Sequence, residues 1–335
     1  MRRNENYWGR KARLEKIIYK FITNPAACVQ ALRSHEVDLI IPEPEQFADL
    51  AGDEQFNREF YCLSYWNPGV PFYYIGWNQD VVFFSDRRVR LAMTHIVNRE
   101  QIVSHLLKGH GREISGPFFI KGLPRRGAGT AGKQNSPDRI PRGESYCGIE
   151  PWPYDLGRAR ELLESAGWRD TDGDGLRDKD GSELRFRFMY AGESALYKRL
   201  AKLLKDEAAK VGVEVIPEPY EWSVLMPRLS DREFESVVMG WGGDVLEDFY
   251  QIFHSSQIGN RGSNYVGFKN AEADAIMEEV RRSFDEDNRT KLSHRLGRIL
   301  HEEQPYTFLF TRPTFRLLDK RFKNVKIHNL LICFN

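Results

Sequence analysis

Three stretches of this chain carry residue types whose spacing could do chemistry. The sharpest is Asp170-Thr-Asp172-Gly-Asp174-Gly175-Leu-Arg-Asp178-Lys-Asp180-Gly181. Its first, third, fifth and ninth positions are carboxylates and its sixth is glycine, as at the front of a calcium loop. The twelfth, where a bidentate glutamate would close the cage, is Gly181. One reading is therefore a structural calcium held by Asp170, Asp172, Asp174 and Asp178. The other is an Asp/Gly-rich turn between a helix and a strand, because both residue types favour such backbone geometry.

The second stretch is Val237-Val-Met-Gly240-Trp241-Gly242-Gly243-Asp244, an apolar strand that ends in a tryptophan, two glycines and an aspartate. In open α/β sheets, ligands bind beyond the carboxyl ends of the strands. There Gly242 and Gly243 would let a ligand backbone approach and Trp241 would offer a flat apolar wall. Asp244 could pair with a cation such as an ammonium. The same residues would equally form a glycine-rich turn, with Asp244 capping the following helix.

The third, Gly127-Ala-Gly-Thr-Ala-Gly132-Lys133-Gln134, resembles a phosphate-binding loop but has Gln134 where a magnesium-binding Ser or Thr belongs. No strand leads into it, and Pro137 and Pro141 prevent the helix whose N-terminus would face a phosphate. It is rejected. His301-Glu302-Glu303 lacks the second histidine of a zinc-protease helix, and His294 and His301 are expected at the surface. With no nucleophile elbow and no cysteine–histidine pairing, no catalytic residue is assigned and the chain is read as not an enzyme.

The elements that must position these residues alternate between helix and strand, which implies an α/β fold. Strands are expected at Ile17–Ile22, Val37–Ile41, Phe60–Ser64 and Phe72–Trp77. Asn24 and Pro25 read as the cap and first position of a helix. Helices are expected over Asp86–Val97 and from Asn98 to Lys108, with Gly109 as the stop. Asp155 caps a helix ending at Ala166-Gly167, ahead of a βαβαβ run from Leu184 to Trp241 whose strands should be parallel. Helices Ala271–Ser283 and Glu286–Glu303 precede closing strands near Tyr306–Phe310 and Thr314–Leu318. Between them, residues 111–153 are irregular and rich in Gly, Pro and basic side chains.

Composition excludes several classes. With 49 Lys+Arg against 48 Asp+Glu the net charge is +1, so no global field draws the chain to nucleic acid or an anionic membrane. The basic loop from Lys121 to Arg142 lacks the interleaved aromatics of a nucleic-acid stripe and reads as solvated. Cys28, Cys62, Cys147 and Cys333 are too far apart for a CxxC metal or redox centre. No run is long and apolar enough for a membrane span. The opening Met1-Arg-Arg-Asn has no apolar run behind it and is not read as a secretory signal.

Many short motifs in one order then resemble the extracellular solute-binding proteins, family 5, which serve oligopeptide and dipeptide ABC importers. They are Asn6-Tyr7-Trp8-Gly9-Arg10-Lys11, Phe83-Phe84-Ser85-Asp86-Arg87-Arg88-Val89-Arg90, and Leu162-Leu163-Glu164-Ser165-Ala166-Gly167-Trp168 with the acidic loop behind it. Glu221-Trp222, Gly240-Trp241, Tyr250-Gln-Ile-Phe-His254-Ser255-Ser256 and Gln304-Pro305-Tyr306 complete the series.

The resemblance implies a two-lobed fold of the periplasmic-binding-protein-like II class, with a peptide held in a cleft between lobes and no chemical conversion. It implies that residues 1–77 are the later part of lobe I, 78–305 are lobe II, and 306–335 return to lobe I. The first lobe is then only partly present, and the chain is read as the C-terminal part of a binding protein. Uncovered sheet edges and apolar faces, a source of self-association, are expected from that reading.

By resemblance, too, Asp244 of the Trp241…Asp244 pattern receives the peptide ammonium. Trp222, Gly242 and Gly243 belong to the ligand site, and Asp248 is the surviving carboxylate of a second family pattern. The implied partners are a peptide and the membrane permease subunits of an ABC transporter, in a periplasmic or extracytoplasmic setting. A truncated, non-transporting module of the same fold is the alternative. A metal-dependent enzyme built on the acidic loop has only that loop in its favour.

Overall fold

A computed structural model describes residues 1–66, 71–117, 148–242, 248–259, 262–327 and 332–333. They form two compact units, which the chain passes between near residues 66–71 and 312–313.

The smaller unit holds α1 (Pro25–Arg33), β1 (Leu39–Ile40), α2 (Pro44–Ala51), α3 (Phe56–Glu59) and β2 (Phe60–Tyr65). The larger opens with β3 (Phe72–Trp77), α4 (Val82–Ser85), α5 (Arg87–His95), α6 (Arg99–Gln101), a single π turn at Ile102–Leu106, and β4 (Arg112–Glu113). It continues through α7 (Leu156–Ser165), the hairpin β5 (Asp178–Lys179) and β6 (Ser182–Glu183), and β7 (Arg185–Ala191). Then come α8 (Ala195–Ala209), β8 (Glu214–Tyr220), α9 (Trp222–Ser230) and β9 (Ser236–Trp241). It ends with α10 (Tyr250–Phe253), α11 (Ala271–Arg282), α12 (Glu286–Glu303) and β10 (Tyr306–Thr311). The chain returns to the smaller unit as β11 (Thr314–Asp319), β12 (Lys326–Ile327) and β13 (Ile332–Cys333).

In the smaller unit, Asn24 Oδ1 accepts from the amides of Ala26 and Ala27, and Pro25 starts α1, where its missing N–H costs nothing. The antiparallel sheet β1-β11-β2 packs on the helices through Leu32, Ile40, Phe47, Phe56 and Phe315. Phe47 and Phe315 stack with centroids 4.3 Å apart. Ile17–Ile22, expected as a strand, is not one. It pairs with no sheet strand, and Ile18 and Phe21 are 66% and 97% exposed. Alternation and β-branching supply a strand's side chains, but the strand itself needs a ladder partner.

The larger unit is built on a sheet of order β4-β10-β3-β9-β7-β8. The expected βαβαβ run is parallel, with β7 pairing both β8 and β9, while β3 lies antiparallel between β9 and β10. Both faces are covered, so its central strands read as near-continuous apolar runs. Ile75, Trp77, Phe186, Phe188 and Val238 pack against α5, α7 and α8. Tyr74, Val237, Met239, Tyr306 and Phe308 pack against α9, α11 and α12. The exposed edge, β8, carries Pro217 and Pro219, whose missing donors blunt further pairing.

β3 and β10 are hydrogen-bonded over their whole length inside this sheet, from Phe72↔Thr311 to Gly76↔Tyr306. The units therefore change before β3 and after β10, earlier than residue 77 and later than 305, because a shared ladder keeps both strands with the larger unit.

Two buried arginines fasten this framework. Arg90 donates to the carbonyls of Phe84, Ser85 and Glu303, the last at the C-terminus of α12. Arg177, within the acidic loop, donates to Val211 O and Trp168 O, each at 2.8 Å, and to Glu164 Oε1 at 3.2 Å. It thereby satisfies carbonyls just past the ends of α7 and α8, groups that a helix leaves without partners.

Candidate functional site

Because β7, β8 and β9 are parallel, their carboxyl ends share one edge of the larger sheet. This is the edge at which open α/β sheets take ligands. Trp241 ends β9, and Trp222, 51% exposed, follows the end of β8 as the first residue of α9. With β7 between them, the two strand ends lie about 10 Å apart across the sheet at the usual interstrand spacing. The sequence-derived Trp222 and Trp241 thus stand on the same edge.

The glycines beside Trp241 differ in purpose. A Cβ on Gly240 would lie 3.1 Å from two carbons of the Tyr73 ring, so glycine there serves strand packing. A Cβ on Gly242 would meet no atom within 4 Å, so the backbone at that position faces open space. Gly243 and Asp244 lie outside the described residues.

Trp241 is half-buried and held from behind. Its indole Nε1–H donates to Tyr306 Oη at 3.4 Å, and its ring lies within 10° of parallel to Tyr265, centroids 6.0 Å apart. Tyr306 in turn stacks on Tyr74, with centroids 3.8 Å apart and planes 18° off parallel. Burial pushes both phenols above their ordinary range. The Trp241 N–H, donating to Tyr306, offsets part of that rise for Tyr306. Both hydroxyls therefore stay protonated at neutral pH. The sequence reading gave this pair no role: Tyr306 stood there only as part of the Gln304-Pro305-Tyr306 motif, and its contact with Trp241 is set by register across three strands.

Asp248 is committed elsewhere. Its Oδ2 accepts from Arg281 Nε and Nη2 at 2.9 and 2.8 Å, and its Oδ1 accepts from the amide of Tyr250 at 3.1 Å. The Arg281 guanidinium also lies 3.9 Å from the Tyr250 ring centroid. The segment that follows is tied to α11 as well, through Ser255 N to Asp274 Oδ1 at 2.9 Å.

In the acidic loop, Asp170, Asp172 and Asp174 each bring one oxygen within 4.8 Å of the others. Asp178 does not join them. Both its oxygens accept from Thr171, through the backbone amide and the hydroxyl, and these bonds hold its carboxyl below the usual range. The other three are partly occupied too: Asp170 accepts from Gly173 N and Gly175 N, and Asp174 from Leu176 N. Three exposed carboxylates fall short of the six to eight oxygens calcium takes, so carbonyls and water would have to supply the rest.

The histidines of α12, expected at the surface, are only partly exposed. His301 is half-buried and stacks on Trp152, centroids 4.8 Å apart and planes 7° off parallel, and burial lowers its pKa. His294 is half-buried as well. The loop Gly127–Gln134, the basic segment Lys121–Arg142 and Cys147 lie outside the described residues. Among the described residues no helix is long and apolar enough to cross a membrane.

The larger unit thus combines a mixed sheet covered on both faces with a Trp-Gly carboxyl edge. The sequence profile of bacterial extracellular solute-binding proteins, family 5 Middle, matches residues 1–262. The chain belongs to that family, whose members are binding proteins. It is 30% identical over 328 residues to the oligopeptide-binding protein AppA of Bacillus subtilis, an alignment covering 97% of this chain and 56% of that protein. It is 26% identical over 327 residues to heme-binding protein A of Haemophilus influenzae, covering 96% and 53%. The solved structure of B. subtilis AppA in complex with a nonapeptide superposes with a TM-score of 0.80 at 28% identity, covering 98% of this chain and 63% of that one. The fold is thus periplasmic-binding-protein-like, and the chain spans about half the length of the curated relatives it matches.

Proposed function

We propose that this chain is part of the substrate-binding component of an ABC importer and binds peptides without converting them. The observation that carries the reading is the carboxyl edge of β9, where Trp241 offers an apolar wall and Gly242 leaves its backbone open to approach. Peptides are the ligand class because a relative 30% identical to this chain is an oligopeptide-binding protein, and its solved structure holds a nonapeptide. In this reading Asp244 meets the peptide ammonium, since a cation withdrawn from water against an apolar wall loses several kcal/mol unless a carboxylate meets it. The ligand lies between the lobes, and the partners are the permease subunits of the importer, on the outer side of the membrane.

The test is calorimetric titration with trialanine and with N-acetyl-trialanine. Trialanine is expected to bind, N-acetylation to abolish binding, and Asp244→Ala to weaken it at least tenfold, as for a lost charge-assisted contact of about 1.5–3 kcal/mol. Equal binding of the two peptides would remove the ammonium from the recognition. Unchanged affinity in Asp244→Ala would remove that residue from the site.

The calcium reading of the acidic loop is a proposal of the same standing. Asp170, Asp172 and Asp174 would give three oxygens to a weakly held structural ion, in the range of about 0.1–1 mM known for extracellular modules.

A further inference from the structure

We propose that Tyr306, backed by Tyr74, is the positioning residue that sets the pose of the Trp241 indole at the ligand edge. This rests on the reading of Trp241 as a ligand wall and adds what holds that wall in place.

An indole has one donor, and a partly buried indole takes its pose from where that donor finds an acceptor. The acceptor here is the Tyr306 hydroxyl. Tyr306 is itself fully buried and cannot follow a moving partner. Its ring lies against Tyr74 on one side and tilts against Phe253, centroids 5.0 Å apart, while Phe308 meets it edge-on at 5.9 Å. The hydroxyl is therefore a fixed point, and the Tyr74 ring, stacked on Tyr306 from the neighbouring strand, holds it there. Tyr265, nearly parallel to the indole, limits its tilt from a third direction. The wall's orientation is thus held from β3 and β10, the strands that carry Tyr74 and Tyr306.

The hydrogen bond is long at 3.4 Å. Its role is accordingly directional: losing it should free the indole to rotate while the surrounding apolar packing survives.

The experiment uses the full chain with Tyr306→Phe, Trp241→Phe and the double variant. The first readout is the indole N–H resonance of Trp241 in nitrogen-15-labelled protein, identified by its absence in Trp241→Phe. Tyr306→Phe is expected to shift it upfield and speed its exchange with solvent. The second is the dissociation constant for trialanine. Tyr306→Phe is expected to weaken binding about fivefold, the effect of one net hydrogen bond, and to have no further effect in the Trp241→Phe background. An indole resonance that stays in place overturns the proposal. So does a loss of affinity that persists undiminished when Trp241 is already Phe. Should wild-type protein bind no trialanine, the peptide reading fails while the indole resonance still decides the positioning role. If Tyr306→Phe does not fold, Tyr74→Phe, which keeps the bond to the indole, is expected to shift the resonance by a smaller amount, and no shift overturns the proposal.

Discussion

Arg177→Met tests the account of how the acidic loop is anchored. Arg177 is 92% buried, at 8% exposure, and its fork serves Val211 O, Trp168 O and Glu164 Oε1. Methionine keeps most of the aliphatic stem and removes every donor. The two carbonyls then lose their partners, at about 1–3 kcal/mol for each buried group left unsatisfied. Glu164 is 54% exposed on its side chain and returns to water at little cost. Against the loss stands relief from burying a guanidinium, which offsets about 1 kcal/mol or more. The net expectation is a destabilisation of about 2–4 kcal/mol, within the range of buried-network losses. Urea denaturation should show it as a lower midpoint with an unchanged slope, because the surface exposed on unfolding stays the same. Arg177→Lys should recover less than half, since a point charge cannot serve two carbonyls in divergent directions. A loss below about 0.5 kcal/mol in Arg177→Met would place it among ordinary surface substitutions and refute the reasoning.

Other expectations follow from the same geometry. Gly240→Ala should cost about 1–2 kcal/mol by crowding the Tyr73 ring, whereas Gly242→Ala, with open space around its Cβ, should stay within about 0.5 kcal/mol; chemical denaturation of the pair checks the contrast. Burial lowers the imidazole pKa of His95 and His301, so the folded state binds fewer protons than the unfolded one. Their contribution is therefore full above the unfolded value of about 6.5 and is lost as pH falls through the lower folded values. His301→Gln should flatten the decline in unfolding free energy on that acid side, and an unchanged profile would refute it. If the acidic loop holds calcium at about 1 mM, 10 mM calcium should stabilise by about 1.4 kcal/mol, and Asp172→Asn should remove the shift. A melting temperature indifferent to calcium would leave the loop an Asp/Gly turn.

What could be read in the sequence was what local pattern determines. β3 and β9 begin and end where their apolar runs do, because both faces of the sheet are covered and no alternation blurs their bounds. Asp155 and Asn24 cap the helices they were expected to cap, since a cap needs only its own next three residues. What could not be read depended on distant partners. Ile17–Ile22 has a strand's composition and no ladder, and Asp178 has the spacing of a ligand but is captured by Thr171. The unit boundary moved because β3 and β10, more than two hundred residues apart, hydrogen-bond each other. Tyr306 was visible only as part of a motif, because its meaning is a hydroxyl meeting an indole two strands away.

The pairing of Phe72 with Thr311 has an architectural consequence. Residues opposite one another on antiparallel strands have Cα atoms only about 5 Å apart. Among the described residues, the larger unit is thus entered and left at a single spot, like a cassette spliced into a host through one doorway. Its two cores are assembled from its own helices and strands. Such a piece can be cut at residues 71 and 312 and transplanted into a surface turn of another protein without stretching either chain. It would carry the Trp241 edge with it as one continuous gene segment.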